Sequence, residues 1–163
     1  MTKLLLGLAI IAFTTFCGYL LAKKYRQRKL FFQQLHEFNE RFLCEISYYK
    51  RPVKEFALRY TYRGEFRLLL YNFLHNLDHP TEGNNFLDDP QCSFLKTEDR
   101  RIVADYFLML GRGDTSSQKS YFTSVKNELT SIQKDADTAC KKYGDLYVKL
   151  GFLCGLLLLI LII

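Results

Sequence analysis

From Leu150 to Ile163 the chain reads LGFLCGLLLLILII, with no charged residue. A stretch that is apolar on every side must be buried in a large core or placed in a bilayer. Upstream of it, Phe122, Val125, Leu129, Ile132, Ala136, Ala139, Tyr143, Leu146 and Leu150 recur in steps of three and four. That spacing puts them on one seam of a helix. Lys126, Asn127, Glu128, Lys134, Asp135, Lys141 and Lys142 fall between them. The pattern predicts one helix from Asp114 to Ile163 that starts in water and ends in lipid. Asp114 is the predicted N-cap, because its carboxylate can accept from the free N–H groups of the first turn. Gly144 and Gly151 cost the helix about 1 kcal/mol each without breaking it.

The other end mirrors this. LLLGLAIIAFTTFCGYLLA, Leu4 to Ala22, is long enough to cross about 30 Å of hydrocarbon at about 1.5 Å per residue. A cleaved signal peptide is the rival reading. The apolar run is longer than a signal's usual core, only Lys3 precedes it, and no small-x-small cleavage site follows it. An uncleaved span is therefore expected. Lys23, Lys24, Arg26, Arg28 and Lys29 come next and account for most of the formal net charge of +6. With Lys3 and Lys149 set at membrane edges, the remaining chain is near neutral, which argues against nucleic-acid binding. A basic cluster beside an apolar span marks topology and attracts anionic lipid.

Between the spans the reading is helical throughout. Phe31, Leu35, Phe38, Phe42, Ile46 and Tyr49 continue the first helix as an amphipathic one. Pro52 suits the first turn of a second helix, with Val53, Phe56, Ala57 and Tyr60 inward and Gly64 ending or bending it. Phe66, Leu69, Leu70, Phe73, Leu74 and Leu77 line a third. Asp78 to Lys96, with Pro80, Gly83, Asn84, Asn85 and Pro90, reads as a loop that packs down through Phe86, Leu87, Phe94 and Leu95. Thr97, Glu98 and Asp99 open a fourth helix, with Ile102, Val103, Tyr106, Phe107 and Leu110 inward. The expected class is all-α: a small helical bundle between two transmembrane helices that continue into long amphipathic ones. The expected boundaries are a first span at 1–22, a cytoplasmic domain at 23–145 and a second span at 146–163.

Residue chemistry points away from catalysis. Cys17, Cys44, Cys92, Cys140 and Cys154 are odd in number, widely spaced and lack a Cys-x-x-Cys pair. His36 stands alone. His75 and His79 are one turn apart, but Pro80 ends a helix there, and no further ligand has suitable spacing. No metal or cofactor is expected. Gly111-Arg112-Gly113 lacks the ending of a phosphate loop. A helix cap accounts for Asp114 of the Arg-Gly-Asp tripeptide. Ser116 and Ser117 have no implied base, so the chain is not expected to be an enzyme.

Three stretches carry a family resemblance. Glu45-Ile46-Ser47-Tyr48 is followed by Pro52 and Phe56; Leu110-Gly111-Arg112-Gly113-Asp114 is followed by Gln118. Lys142-Tyr143-Gly144 leads to Leu146-Tyr147, then Leu150-Gly151-Phe152-Leu153 and Gly155. Together they resemble stage III sporulation protein AB of endospore-forming bacteria, across essentially the whole chain. Gly113 stands where that family usually has serine, and Phe56-Ala57 where it has Glu-Ala; its frequent mid-domain tryptophan is absent.

The resemblance implies a helical domain similar to the cytoplasmic domains of platform proteins in type II secretion and type IV pilus systems. It implies a non-enzymatic part in a channel between mother cell and forespore, in the outer forespore membrane with the domain in the mother-cell cytoplasm. It also implies stage III channel proteins as partners, including a secretion-type ATPase, the AA member of the set. Self-association is a further possibility. The motif residues become the candidate contact set: Glu45, Pro52, Gly111, Arg112, Asp114, Gln118, Gly144, Tyr147, Gly151 and Gly155. The alternative function is a generic two-span scaffold or sensor.

Overall fold

A computed structural model describes residues 2–49, 51–78, 92–110, 112 and 114–162. All regular structure described is helical, in keeping with the all-α expectation. The helices are α1 (Thr2–Tyr48), α2 (Val53–Arg59), α3 (Gly64–Asp78), α4 (Thr97–Met109), α5 (Thr115–Ala139) and α6 (Asp145–Ile162), with a π-helical turn at Cys140–Gly144 joining the last two. The chain forms two compact units. One is Leu30–Lys134; the other pairs Met1–Lys29 with Asp135–Ile163. Most of the predicted loop, with His79, Pro80, Phe86 and Leu87, lies outside the described residues, as do Gly111 and Gly113.

The Leu30–Lys134 unit closes around aromatic rings. Phe31, Phe32, Phe38 and Phe42 of α1, Phe56 of α2, Phe66 of α3, Phe107 and Tyr106 of α4, and Phe122 of α5 are all fully buried or nearly so. Phe38 is the hub. Its ring centroid lies 5.3 Å from Phe56, 5.6 Å from Tyr62, 5.7 Å from Phe66 and 6.0 Å from Phe42. Each such pair adds about 0.5–1.5 kcal/mol beyond the area it buries. One polar chain runs through this core. The Tyr106 hydroxyl donates to Asn39 Oδ1 at 3.2 Å, and Asn39 Nδ2 donates to the Phe122 carbonyl at 3.2 Å. Asn39 is wholly buried and its amide gains a partner at each end, which offsets its desolvation.

The predicted faces are met closely in this unit, with local exceptions. Tyr49, Tyr60 and Leu77 are exposed instead of buried. Pro52 precedes α2 as its N-cap residue instead of entering its first turn. Gly64 begins α3 instead of ending α2. Its φ of +62° is costly for any other residue, and a β-carbon there would lie 2.8 Å from Leu30 Cδ2. Gln34 fixes the same bend by accepting from the Arg63 N–H at 3.0 Å. Asp99, buried at the third position of α4, accepts from the Lys96 N–H at 3.0 Å and closes that helix start.

The second unit is an antiparallel pair made by the start of α1 and the end of the chain. Arg28 reaches Asp135 at 3.2 Å, Tyr25 stacks on Tyr143 and Tyr147 at 5.5 and 5.9 Å, and Gly18 meets Tyr147 and Gly151. Farther along, Gly7 lies against Leu159. By length and composition, both α1 and the α5–α6 helix contain a stretch able to cross a membrane.

Candidate functional site

Nine of the ten motif residues gather in two places; Gly111 lies outside the described residues. The first place is a polar corner of the Leu30–Lys134 unit, where α1 ends and α2 and α5 begin. Asp114 caps α5, accepting from the Ser116 N–H at 3.2 Å and the Ser117 N–H at 3.4 Å, and from the Ser116 hydroxyl. The Ser116 hydroxyl and the Ser117 donors hold its carboxyl well below the usual carboxylate range. Gln118, one turn on, donates from Nε2 to the Arg112 carbonyl at 2.9 Å, while its N–H donates to the Asp114 carbonyl at 3.0 Å. The turn before α5 is therefore tied down by the first turn of the same helix.

Glu45 reaches this corner from α1. It is 4% exposed, and its Oε1 lies 3.6 Å from Arg51 Nε. Arg51, Pro52, Thr115 and Gln118 line a cavity of about 210 Å³ with Phe42, Ile46 and Val53. A buried carboxylate beside a guanidinium can hold chain segments in register. The arrangement offers hydrogen bonding and charge.

The second place is the helix pair, and here the sequence-based expectation needs correction. The seam of α5 was expected to run on through Tyr143, Leu146 and Leu150. Phe122, Val125, Leu129 and Ala136 are buried as expected, but Tyr143, Leu146 and Leu150 are 37%, 50% and 52% exposed. The cause is the π-turn at Cys140–Gly144. A π-turn holds one residue more than an α-turn, so everything after it rotates by about 100°. The inward positions become Gly144, Tyr147, Gly151 and Gly155, each one residue beyond, or one turn past, the expected seam. Four of the ten motif residues are thus the seam of α6 in its shifted register.

Close approach explains two of them directly. A β-carbon on Gly151 would lie 2.6 Å from the Thr14 carbonyl oxygen, and one on Gly155 would lie 2.8 Å from Ile11 Cα and collide with the Thr14 hydroxyl oxygen. Gly18 of α1 answers from the other side, where a β-carbon would strike the Tyr147 carbonyl oxygen. Small residues four apart let two helix backbones touch, which is the main attraction open to helices in hydrocarbon. Thr14 and Thr15 are satisfied within α1. Thr14 Oγ1 donates to the Ile10 carbonyl at 3.0 Å, and Thr15 Oγ1 to the Ile11 carbonyl at 2.7 Å. The sequence reading missed Thr14, Gly18 and Tyr25. The Gly-x-x-x-Gly spacing of 151 and 155 inside an apolar run was the available signal.

At the charged end of the pair, Lys29 Nζ lies 2.6 Å from Asp137 Oδ1 and Lys141 Nζ 2.7 Å from Asp137 Oδ2. Elsewhere His36 and His75 find ordinary surroundings. His36 Nε2 is 3.1 Å from Thr130 Oγ1, and the His75 ring lies against Tyr71. Among the described residues no three His, Cys, Asp or Glu side chains stand together as a metal site, and all five cysteines are free thiols.

No solved structure matches the chain. Stage III sporulation protein AB of Bacillus subtilis (strain 168) is 25% identical over 170 aligned positions, covering 99% of each chain. The family model for stage III sporulation protein AB matches residues 3–163, so both long apolar helices and the domain between them fall within it. The chain belongs to the stage III sporulation protein AB family.

Proposed function

We propose that this protein is a non-enzymatic membrane component of a channel-like assembly between mother cell and forespore. The observation that carries the reading is the family match along residues 3–163, which takes in both apolar helices as well as the domain. In this reading α1 and α6 cross the outer forespore membrane and residues 23–145 work in the mother-cell cytoplasm. Lys23 to Lys29 follow the first apolar run, and Lys141, Lys142 and Lys149 precede or enter the second. Positive residues favour the cytoplasmic side, so both sets argue for one orientation. The domain then offers its surface to stage III partners, among them a secretion-type ATPase, and passes register or force from them to the spans. A resemblance to secretion-platform domains is part of the same proposal.

Two measurements test it. A membrane-impermeant thiol reagent added to intact sporulating cells should leave Cys44 unlabelled and label it after permeabilisation. Labelling of Cys44 in intact cells would overturn the orientation. Co-purification of the stage III ATPase with the full-length chain in detergent should be specific; a chain that never retains the ATPase, and whose deletion leaves spore yield unchanged, would instead be a generic scaffold or sensor.

A further inference from the structure

One groove of the Leu30–Lys134 unit is not explained by packing. It lies between α2 and α3, encloses about 530 Å³, and is walled by Leu58, Tyr60, Tyr62, Leu68, Tyr71 and Leu74. Three of these are unusually open for their type: Leu58 is 69% exposed, Tyr71 66% and Leu68 47%. Helix α3 buries Phe66, Leu69, Leu70, Phe73 and Leu74 in the core, so Leu68 and Tyr71 form a second apolar stripe that the core does not use. Its wall is stiffened from α1, where the Arg41 guanidinium sits 4.4 Å from the centre of the Tyr60 ring. Between Leu58 and Leu74 the chain carries Arg59, Arg63 and Arg67 against one acid, Glu65. All three arginines are exposed, and Arg67 lines the groove itself.

We infer that this groove binds an amphipathic helix of a partner protein whose apolar ridge is flanked by Asp or Glu. The inference deepens the assembly reading above and rests on it. A trough between two helices accepts the ridge of a third, with anchors at helical spacing. Three arginines against one acid select an acidic partner and repel a basic one. The same charge disfavours a second copy, because a two-fold contact would set the arginine faces against each other. The concave shape disfavours a flat bilayer, which a protruding apolar edge would meet better.

Photo-crosslinking in sporulating cells tests this in the full-length chain. With benzoylphenylalanine in place of Tyr71, the adduct should map to a partner peptide with apolar residues at i, i+3 or i+4 and i+7 and an excess of acids. Arg59→Glu with Arg67→Glu should lower its yield about tenfold, while Arg59→Lys with Arg67→Lys should largely keep it. An adduct that maps to a second copy, to lipid or to a basic segment, or no adduct, would overturn the inference. A double Leu68→Ala, Tyr71→Ala variant, at normal chain level in the membrane, should cut spore yield about tenfold. If loss of the whole chain abolishes spores and this variant does not, the groove assignment falls and the assembly reading stands. If loss of the whole chain leaves spore yield unchanged, the assembly reading itself falls.

Discussion

The unit of residues 30–134 is held by rings, and the pair formed by 1–29 and 135–163 by the absence of side chains. In the first, Phe38 alone lies against Phe42, Phe56, Tyr62 and Phe66. In the second, Gly18, Gly151 and Gly155 let backbone meet backbone. The two solutions fit two solvents. In water, burying large apolar surface is itself the driving force. In hydrocarbon, where the proposed reading sets the pair, that force vanishes and close contact has to replace it. The outward faces differ in the same sense. Phe13, Phe16, Leu157, Ile160 and Leu161 of the pair are exposed, whereas the bundle turns most of its large apolar residues inward.

The comparison can be broken first at its strongest point. Phe38→Ala should destabilise the bundle by about 3–5 kcal/mol, read as a lower urea midpoint of the full-length chain in detergent. A loss below about 1 kcal/mol would mean the ring cluster is not the seat of stability. Gly151→Leu should act on the pair instead. It forces a side chain against the Thr14 carbonyl and should cost about 1–3 kcal/mol, seen as thermal loosening in detergent. The urea transition of the bundle should stay where it was.

A third test uses alkali. Burial pushes the Tyr62 hydroxyl up to about 12 and that of Tyr106 well above its usual value. Both groups hold their protons longer in the folded chain than in the unfolded one. Their contribution is therefore complete below about pH 10 and is lost as pH rises toward 12. Ultraviolet titration should find Tyr62 and Tyr106 among the tyrosines that ionise late, together with unfolding; Tyr62→Phe and Tyr106→Phe should each remove one late step. Asp114→Ala should have the smallest effect, a slight drop in the urea midpoint through loss of the α5 cap, and Asp114→Asn should recover most of it.

Most of the bundle was legible because rings and aliphatics recur at helical spacing and caps sit where the helices start. Thr97, Asp114, and the inward runs of α3 and α4 are cases where local chemistry and global packing agree. The register of α6 was not legible from the seam. Cys-Lys-Lys-Tyr-Gly is acceptable to an α-helix, and one extra residue in a turn leaves no compositional mark. What marked it was an offset: Ala139, Tyr143, Leu146 and Leu150 form one seam, and Gly144, Tyr147, Gly151 and Gly155 another, out of phase with it. Periodicity favours the greasier row. Close packing of two backbones favours the row with glycines. The polar corner was half legible: Asp114 was identified as a cap, but nothing local tells that Arg51 and Pro52 line one cavity with Thr115 and Gln118.

If the pair spans a membrane as proposed, the glycine notch also limits how this chain associates with its neighbours there. Gly151 and Gly155 would be an obvious docking edge for another span, but Ile11, Thr14 and Gly18 already occupy it. What remains for lateral contact is a coat of Phe, Leu and Ile. Such a coat holds neighbouring backbones apart at side-chain distance and favours shallow, exchangeable contacts. In that reading the helix pair is saturated with respect to its tightest kind of bonding, and any ring or stack built from it draws its cohesion from the Leu30–Lys134 unit.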